Sequence, residues 1–227
     1  MPVQQLLDLR TWGGMRRGAG RPPRPGRDAL PHVARDAFGR PMPIHVTLRL
    51  AEHVWNLRSE RSFAVIHRVL EAARRRTDAR VVHFGILGNH VHLICEAVSS
   101  DALANAVRAF SIRLARGLNR MMGRSGRVFA DRYDAHVLRT PAEVRNAVRY
   151  VVGNFASHAR RRGEPLRDGW VDPFSSAVVK MPRAAQGTLF AEGVTDSPRT
   201  WLLRTAEVHG RRVAGRDRGS DGTSRPV

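Results

Sequence analysis

Residues 88–96 read GNHVHLICE, and the reading of the whole chain follows from them. Gly88-Asn89 is a hairpin-turn signal. Beyond it the residues alternate, and successive side chains of a strand point to opposite faces. Val91, Leu93 and Cys95 therefore share one face, and His90 and His92 share the other. Two imidazoles one alternation apart are separated by about 7 Å along a strand. That is close enough for both to converge on one metal ion.

Working outward, RVVHFGIL (80–87) is the strand that leads into the turn. Upstream, IHVTLRL (44–50) alternates, with Ile44, Val46, Leu48 and Leu50 on one face. Between these two strands, residues 53–76 carry Val54, Leu57, Phe63, Ile66 and Leu70 at helical spacing. They end on Arg74–Arg76, cations that suit a helix C-terminus. Downstream, Ser99 or Ser100 caps a helix on which Leu103, Val107, Phe110, Leu114, Leu118 and Met121 recur every three or four residues. GRVFADRYDAHVLR (126–139) reads as an extended segment. Thr140-Pro141-Ala142-Glu143 then opens a last helix running to about Arg160, with threonine as cap, proline in the first turn and the acid at the positive end.

This order predicts an α+β fold, a ferredoxin-like βαββαβ sandwich with an added C-terminal helix that carries Tyr150. Two helices would cover one sheet face, toward Val91 and Leu93. The opposite face, with His90 and His92, would be left for the added helix and a substrate.

The domain expected is 43–177. Residues 1–42 form a basic arm, with MRRGAGRPPRPGR at 15–27, a composition that cannot bury a core. Residues 178–227 read as a loosely attached basic tail, apart from the amphipathic patch RTWLLRTAEV (199–208).

Lysine and arginine number 39 against 20 acids, a formal charge of +19 over 227 residues. Solubility needs far less, so the excess indicates a polyanionic partner. Arg113, Arg116 and Arg120 form a stripe on one side of the long helix, and Arg124 and Arg127 continue it into the next loop. They are read as a phosphate track, with Arg16, Arg17 and Arg21 of the arm as further phosphate contacts. No apolar run reaches the ~18–20 residues of a membrane span, and no secretory pattern opens the chain. Cys95 is the single cysteine, which excludes an internal disulfide and a cysteine-rich zinc site and agrees with a cytoplasmic location.

On the last helix Val144, Val148, Val151 and Phe155 mark the apolar face. Tyr150 and Asn154, one turn apart, lie together on a neighbouring edge, which His158 continues. Two imidazoles and an amide oxygen make an incomplete shell for Mg²⁺ or Mn²⁺, with positions left for phosphate oxygens and water. A phenol held beside that shell could attack the phosphorus of a phosphodiester. Tyr133, in DRYDAH, is the rival nucleophile. His83, His136 and His158 are weaker ligand candidates, His83 reading as a hydrogen-bonded sheet histidine, and Cys95 reads as a small core residue.

His90-Val91-His92 together with Tyr150-x-x-x-Asn154 resembles the HUH superfamily with a single tyrosine, in particular the REP-associated tyrosine transposases that act on single-stranded DNA. The similarity runs over about 43–177 and includes GRVFADRY before the tyrosine helix and DPFSS (172–176) after it. The resemblance implies a divalent metal held by His90, His92 and Asn154. It implies attack by Tyr150 to give a covalent 5′-phosphotyrosine and a free 3′-hydroxyl. The partner would be hairpin-forming single-stranded DNA, and the protein a monomer or homodimer. One departure is Phe155, because relatives with the asparagine commonly follow it with proline. Another is Gly153, inside the helix. Two other readings use the same residues: a hairpin DNA- or RNA-binding protein without catalysis, and a nuclease that uses water and does not need Tyr150. Covalent trapping distinguishes them.

Overall fold

In a computed structural model, residues 36–164, 166–177 and 194–205 are described. The elements in chain order are β1 (Met42–Arg49), α1 (Glu60–Ala73), β2 (Ala79–Ile86), β3 (His90–Ala97), α2 (Ser100–Met121), β4 (Asp134–Val137) and α3 (Pro141–Arg161). Arg16, Arg17 and Arg21 lie outside the described residues, as does most of the expected tail.

The strands form one antiparallel sheet in the order β2-β3-β1-β4. Alternation divides its residues between two cores. Ile44, Val46 and Leu48 of β1 and Val91, Leu93 and Cys95 of β3 meet the buried faces of α1 and α2. Ile94 of β3 meets Val144 and Val151 of α3 on the opposite side. Val91 and Leu93 thus point to the helical layer, as expected.

The helices start where the chain can satisfy their first N–H groups. Ser99 accepts from Ala102 N at 3.1 Å and Thr140 from Glu143 N at 3.2 Å. The first helix differs from expectation. It begins at Glu60, capped by Ser59, and residues 51–58 form a loop instead of its first turns. The extended segment 126–139 contributes only the four residues of β4, plus an isolated bridge from Phe129 to Leu50. Gly153 does not break α3, which runs through it.

Strand β2 carries an irregularity between Val81 and His83. An extra residue in a strand shifts its alternation by one. Val81 therefore faces the main core and Val82 the second core, while Phe84 and Ile86 return to the first. The shift brings Gly85 under α3. A Cβ there would fall onto the carbonyl of Val151. Gly85→Ala should force α3 off the sheet and destabilise the fold by about 1–3 kcal/mol, the usual cost of overpacking. A denaturant titration measures it, and an unchanged midpoint would contradict the close approach.

Residues 194–205, within the expected loose tail, are firmly attached. Glu96, buried at the end of β3, accepts from Arg199 N at 2.9 Å, Thr200 N at 2.6 Å and Thr200 Oγ1 at 2.6 Å. A carboxylate at the start of the helical turn 201–205 suits the exposed N–H groups there. Leu203 is wholly buried in the second core. DPFSS lines the outer edge of β2, with Ile86 N bonded to Phe174 O and Ser176 N to Phe84 O, each at 2.9 Å.

Candidate functional site

α3 crosses the face opposite α1 and α2, packing on β2 and β3. Its buried residues are Val144, Val151, Asn154 and Ala159. That spacing leaves Tyr150 at the margin of the contact, with 49% of its surface exposed. Farther along α3, Phe155 is stacked on the Arg58 guanidinium at 3.6 Å. Arg58 also lies 4.4 Å from the Phe174 ring centroid, donates to Ile86 O at 2.7 Å and forms a two-pronged pair with Asp172 at 2.9 and 3.0 Å. This clamp joins α3, the DPFSS segment and the end of β2 just ahead of the histidine hairpin. Phe155 thus has a packing role of its own at the position after Asn154.

Register brings the reactive side chains together. His90 pairs with Arg49, His92 with Thr47 and Ile94 with His45. The His90 and His92 rings are nearly parallel, 6.0 Å apart between centroids. Tyr150 stands edge-on to His92 at 5.4 Å and to His45 at 5.7 Å. His45, on the outward face of β1, stacks on His92 at 5.4 Å. Sequence reasoning gave His45 no role, since its neighbours come from β3 and α3.

The hydrogen bonds bear on which ring nitrogens are free. His92 Nδ1 lies 3.2 Å from Thr47 Oγ1 and 3.3 Å from His45 Nε2. His90 Nδ1 lies 2.6 Å from Asn89 Oδ1. An amide oxygen only accepts, so His90 Nδ1 carries the proton and Nε2 keeps its lone pair. His92 is likewise engaged through Nδ1, on Thr47 and His45. Asn154 is 4% exposed, and its Nδ2 has no partner among the described residues. Rotation interchanges the two ends of an amide, so this side chain has a polar atom to spare.

Burial depresses the imidazoles. His92 is lowered to about 3, chiefly by desolvation, with further contributions from His45, His90 and His158. His90 is lowered by desolvation, then by Arg49 and His158. His45 is lowered by desolvation and His136 against the opposing pull of Asp134. Neutral imidazole is the form that binds metals. It also sets a pH dependence. Below pH 6.5 the unfolded chain takes up a proton that folded His92 refuses, so stability is complete above pH 6.5 and falls from there toward pH 3. Unfolding free energy should be about 2 kcal/mol lower at pH 5 than at pH 7.5 from this group alone. Denaturant titrations at both values, with His92→Gln as control, check it; the same slope in the variant would contradict the assignment.

Among the described residues, no group of three or more His, Cys, Asp or Glu side chains is arranged to hold a metal ion. Of the expected ligands, two are imidazoles on one face of β3 and the third, Asn154, is a buried amide on α3. His136 is exposed, His158 bears electrostatically on His90 and His92, and His83 is buried with Nδ1 3.2 Å from Ser176 Oγ. Burial pushes the Cys95 thiol up to about 12. Tyr133 packs against the main core.

The expected phosphate track is divided. Arg113, Arg116 and Arg120 border a groove of about 430 Å³ between α1 and α2, floored by Val65, Val69 and Met121, on the far side of the sheet from Tyr150. Arg124 and Arg127 lie in the loop after α2. That loop meets the histidine end of the sheet, where Leu50 N bonds to Asn89 O and Ala51 N to Val128 O. No described helix is long and apolar enough to cross a membrane.

No protein-family model matches the chain, and no curated protein does. Solved structures are similar to it, two of them as follows. One, a candidate transposase of Deinococcus radiodurans, is 11% identical with a TM-score of 0.38, over 60% of this chain and 99% of that one. The other is a REP-associated tyrosine transposase bound to a REP hairpin, 18% identical, over 75% of this chain and 99% of that chain. At a TM-score of 0.52, the chain shares the fold of that tyrosine transposase.

Proposed function

We propose that the chain is a transposase of the HUH type, a ferredoxin-like sandwich that nicks and rejoins single-stranded DNA through Tyr150. The observation that carries this reading is one cluster: an exposed phenol set edge-on to His92 and His45, with the His90 ring parallel to His92 at 6.0 Å. The shared fold supports it, because that relative is a tyrosine transposase bound to a REP hairpin. Hairpin-forming single-stranded DNA is the substrate proposed here.

The residues present fit a divalent cation. The Nε2 lone pairs of His90 and His92 and the spare capacity of Asn154 would hold Mg²⁺ or Mn²⁺. When bound, the ion would polarise the scissile phosphodiester. The rest of the chemistry belongs to the chain. Tyr150 Oη forms the bond to phosphorus, the bond from phosphorus to the 3′-oxygen breaks, and that oxygen leaves as a 3′-hydroxyl. Half-exposed Tyr150 loses its proton to solvent, and the leaving 3′-oxygen takes up a proton from solvent. Asn89 holds the His90 ring in the tautomer that leaves Nε2 free, and Thr47 engages Nδ1 of His92, the supporting role that outer partners of ligand histidines play. His45 walls the phenol on the side of β1. Arg124 and Arg127 attract the backbone at the open end.

A gel assay for a protein–DNA adduct tests the proposal, using labelled single-stranded hairpins from the DNA flanking the gene. An adduct that needs Mn²⁺ or Mg²⁺ and disappears with chelator, and in His90→Ala/His92→Ala, is expected. Cleavage without an adduct would replace it with a water-using nuclease. Tight binding without cleavage on every hairpin would favour a binding protein.

A further inference from the structure

Single-stranded nucleic acid is commonly held by stacking its bases on aromatic side chains, beside cations that follow the backbone. The open sheet face here offers imidazoles instead, and Tyr150 is committed to chemistry under the reading above. Among the described residues two tryptophans are exposed large hydrophobics, Trp55 at 49% and Trp201 at 65%. Trp201 sits on the turn that Glu96 fixes at the opposite end of β3 from His90. Trp55 lies in the loop 51–58, at the histidine end.

That loop is rigid where it matters. Leu57 N bonds to Gly88 O at 2.9 Å, and Leu50 N to Asn89 O at 2.8 Å, so both ends are tied to the turn that delivers His90. Ala51 N bonds to Val128 O at 2.9 Å, and His53 Nε2 lies 2.8 Å from Arg127 O, tying it to the basic loop after α2. Leu57 is wholly buried, and Arg58 closes the clamp on Phe155. An indole left half in water by a loop pinned at both ends is not explained by packing. Cations stand at the same end of the sheet: Arg49 bears on His90, and Arg124 and Arg127 lie in the loop to which Ala51 and His53 are bonded. Glu52 is the one acid in the loop.

We infer that Trp55 is a stacking platform for an unpaired base of the single strand next to the reacting phosphate. This rests on the proposed hairpin substrate, and adds a specific contact for the strand outside the stem. The loop would then distinguish a hairpin with a single-stranded extension from a blunt one.

The test uses the full chain carrying Tyr150→Phe, so that binding is read without chemistry. Hairpins from the DNA flanking the gene are made blunt, or with 5′ and 3′ extensions bearing 2-aminopurine at successive positions. Fluorescence should be quenched at one or two positions of one extension. Trp55→Ala should remove that quenching and weaken extended hairpins roughly 5- to 150-fold, the range for losing a base–aromatic stack. Blunt hairpins and the melting temperature should be unchanged, and Trp55→Phe should retain most of the quenching. Equal weakening of blunt and extended hairpins, or quenching that survives Trp55→Ala, would overturn the inference. If the wild-type chain forms the covalent adduct but Trp55→Ala changes nothing, the platform fails alone. If the chain binds no hairpin, both readings fall.

Discussion

Tyr150→Phe is expected to abolish covalent capture of hairpin DNA, a loss of about 10⁴-fold or more in rate, while leaving binding and folding intact. Only the phenolic oxygen is removed. The ring keeps its edge-on contacts with His45 and His92. Burial of α3 rests on Val144, Val151 and Asn154, not on this side chain. A rim tyrosine without a chemical role would show no such division between binding and capture. Adduct yield and hairpin affinity, measured side by side, decide it. An adduct that persists in Tyr150→Phe but is lost in Tyr133→Phe would move the nucleophile to β4's leading segment, although Tyr133 packs against the other core.

The largest effect on stability is expected at the clamp behind α3. Arg58 and Asp172 have side chains only 11% and 4% exposed. Removing one member of a buried pair leaves the other charge without compensation, at about 3–5 kcal/mol. Asp172→Ala should reach that range, because the guanidinium would remain held under Phe155 and Phe174. Arg58→Met together with Asp172→Leu should recover much of the loss, since an apolar pair of similar volume carries no such penalty. Denaturant unfolding of the three variants tests this. Single variants costing under about 1 kcal/mol would mean that the pair is solvated and behaves as a surface salt bridge.

Much of this was legible in the sequence because it depends on local periodicity. β1 and β3 alternate cleanly, and α2 and α3 keep apolar residues at three- and four-residue steps with an oxygen-bearing cap before each. The pairing of Tyr150 with the histidines followed from one helix facing one strand. What remained hidden depends on partners distant in sequence. The shift in β2 has no marker in RVVHFGIL, since both its faces are apolar and either register would bury them. His45 acquires its place only when β1 pairs with β3. The patch at 199–208 was visible as amphipathic, but the attachment of its described part, 199–205, depends on Glu96, a hundred residues earlier. The arginine stripe was correctly a helix face, yet periodicity does not say on which side of the sheet a helix lies.

The two borders of the sheet are unlike. β2 is bordered by DPFSS and by Asp196, whose N–H bonds to Val81 O at 2.9 Å. β4 ends the sheet on the other side with no described strand beyond it. Strands added to a sheet can only be added at a free border. Two copies joined there would form one continuous sheet, with both of its remaining borders already covered. Growth by that route stops at two, and four residues flanked by Arg132 and Arg139 offer little hold to anything longer.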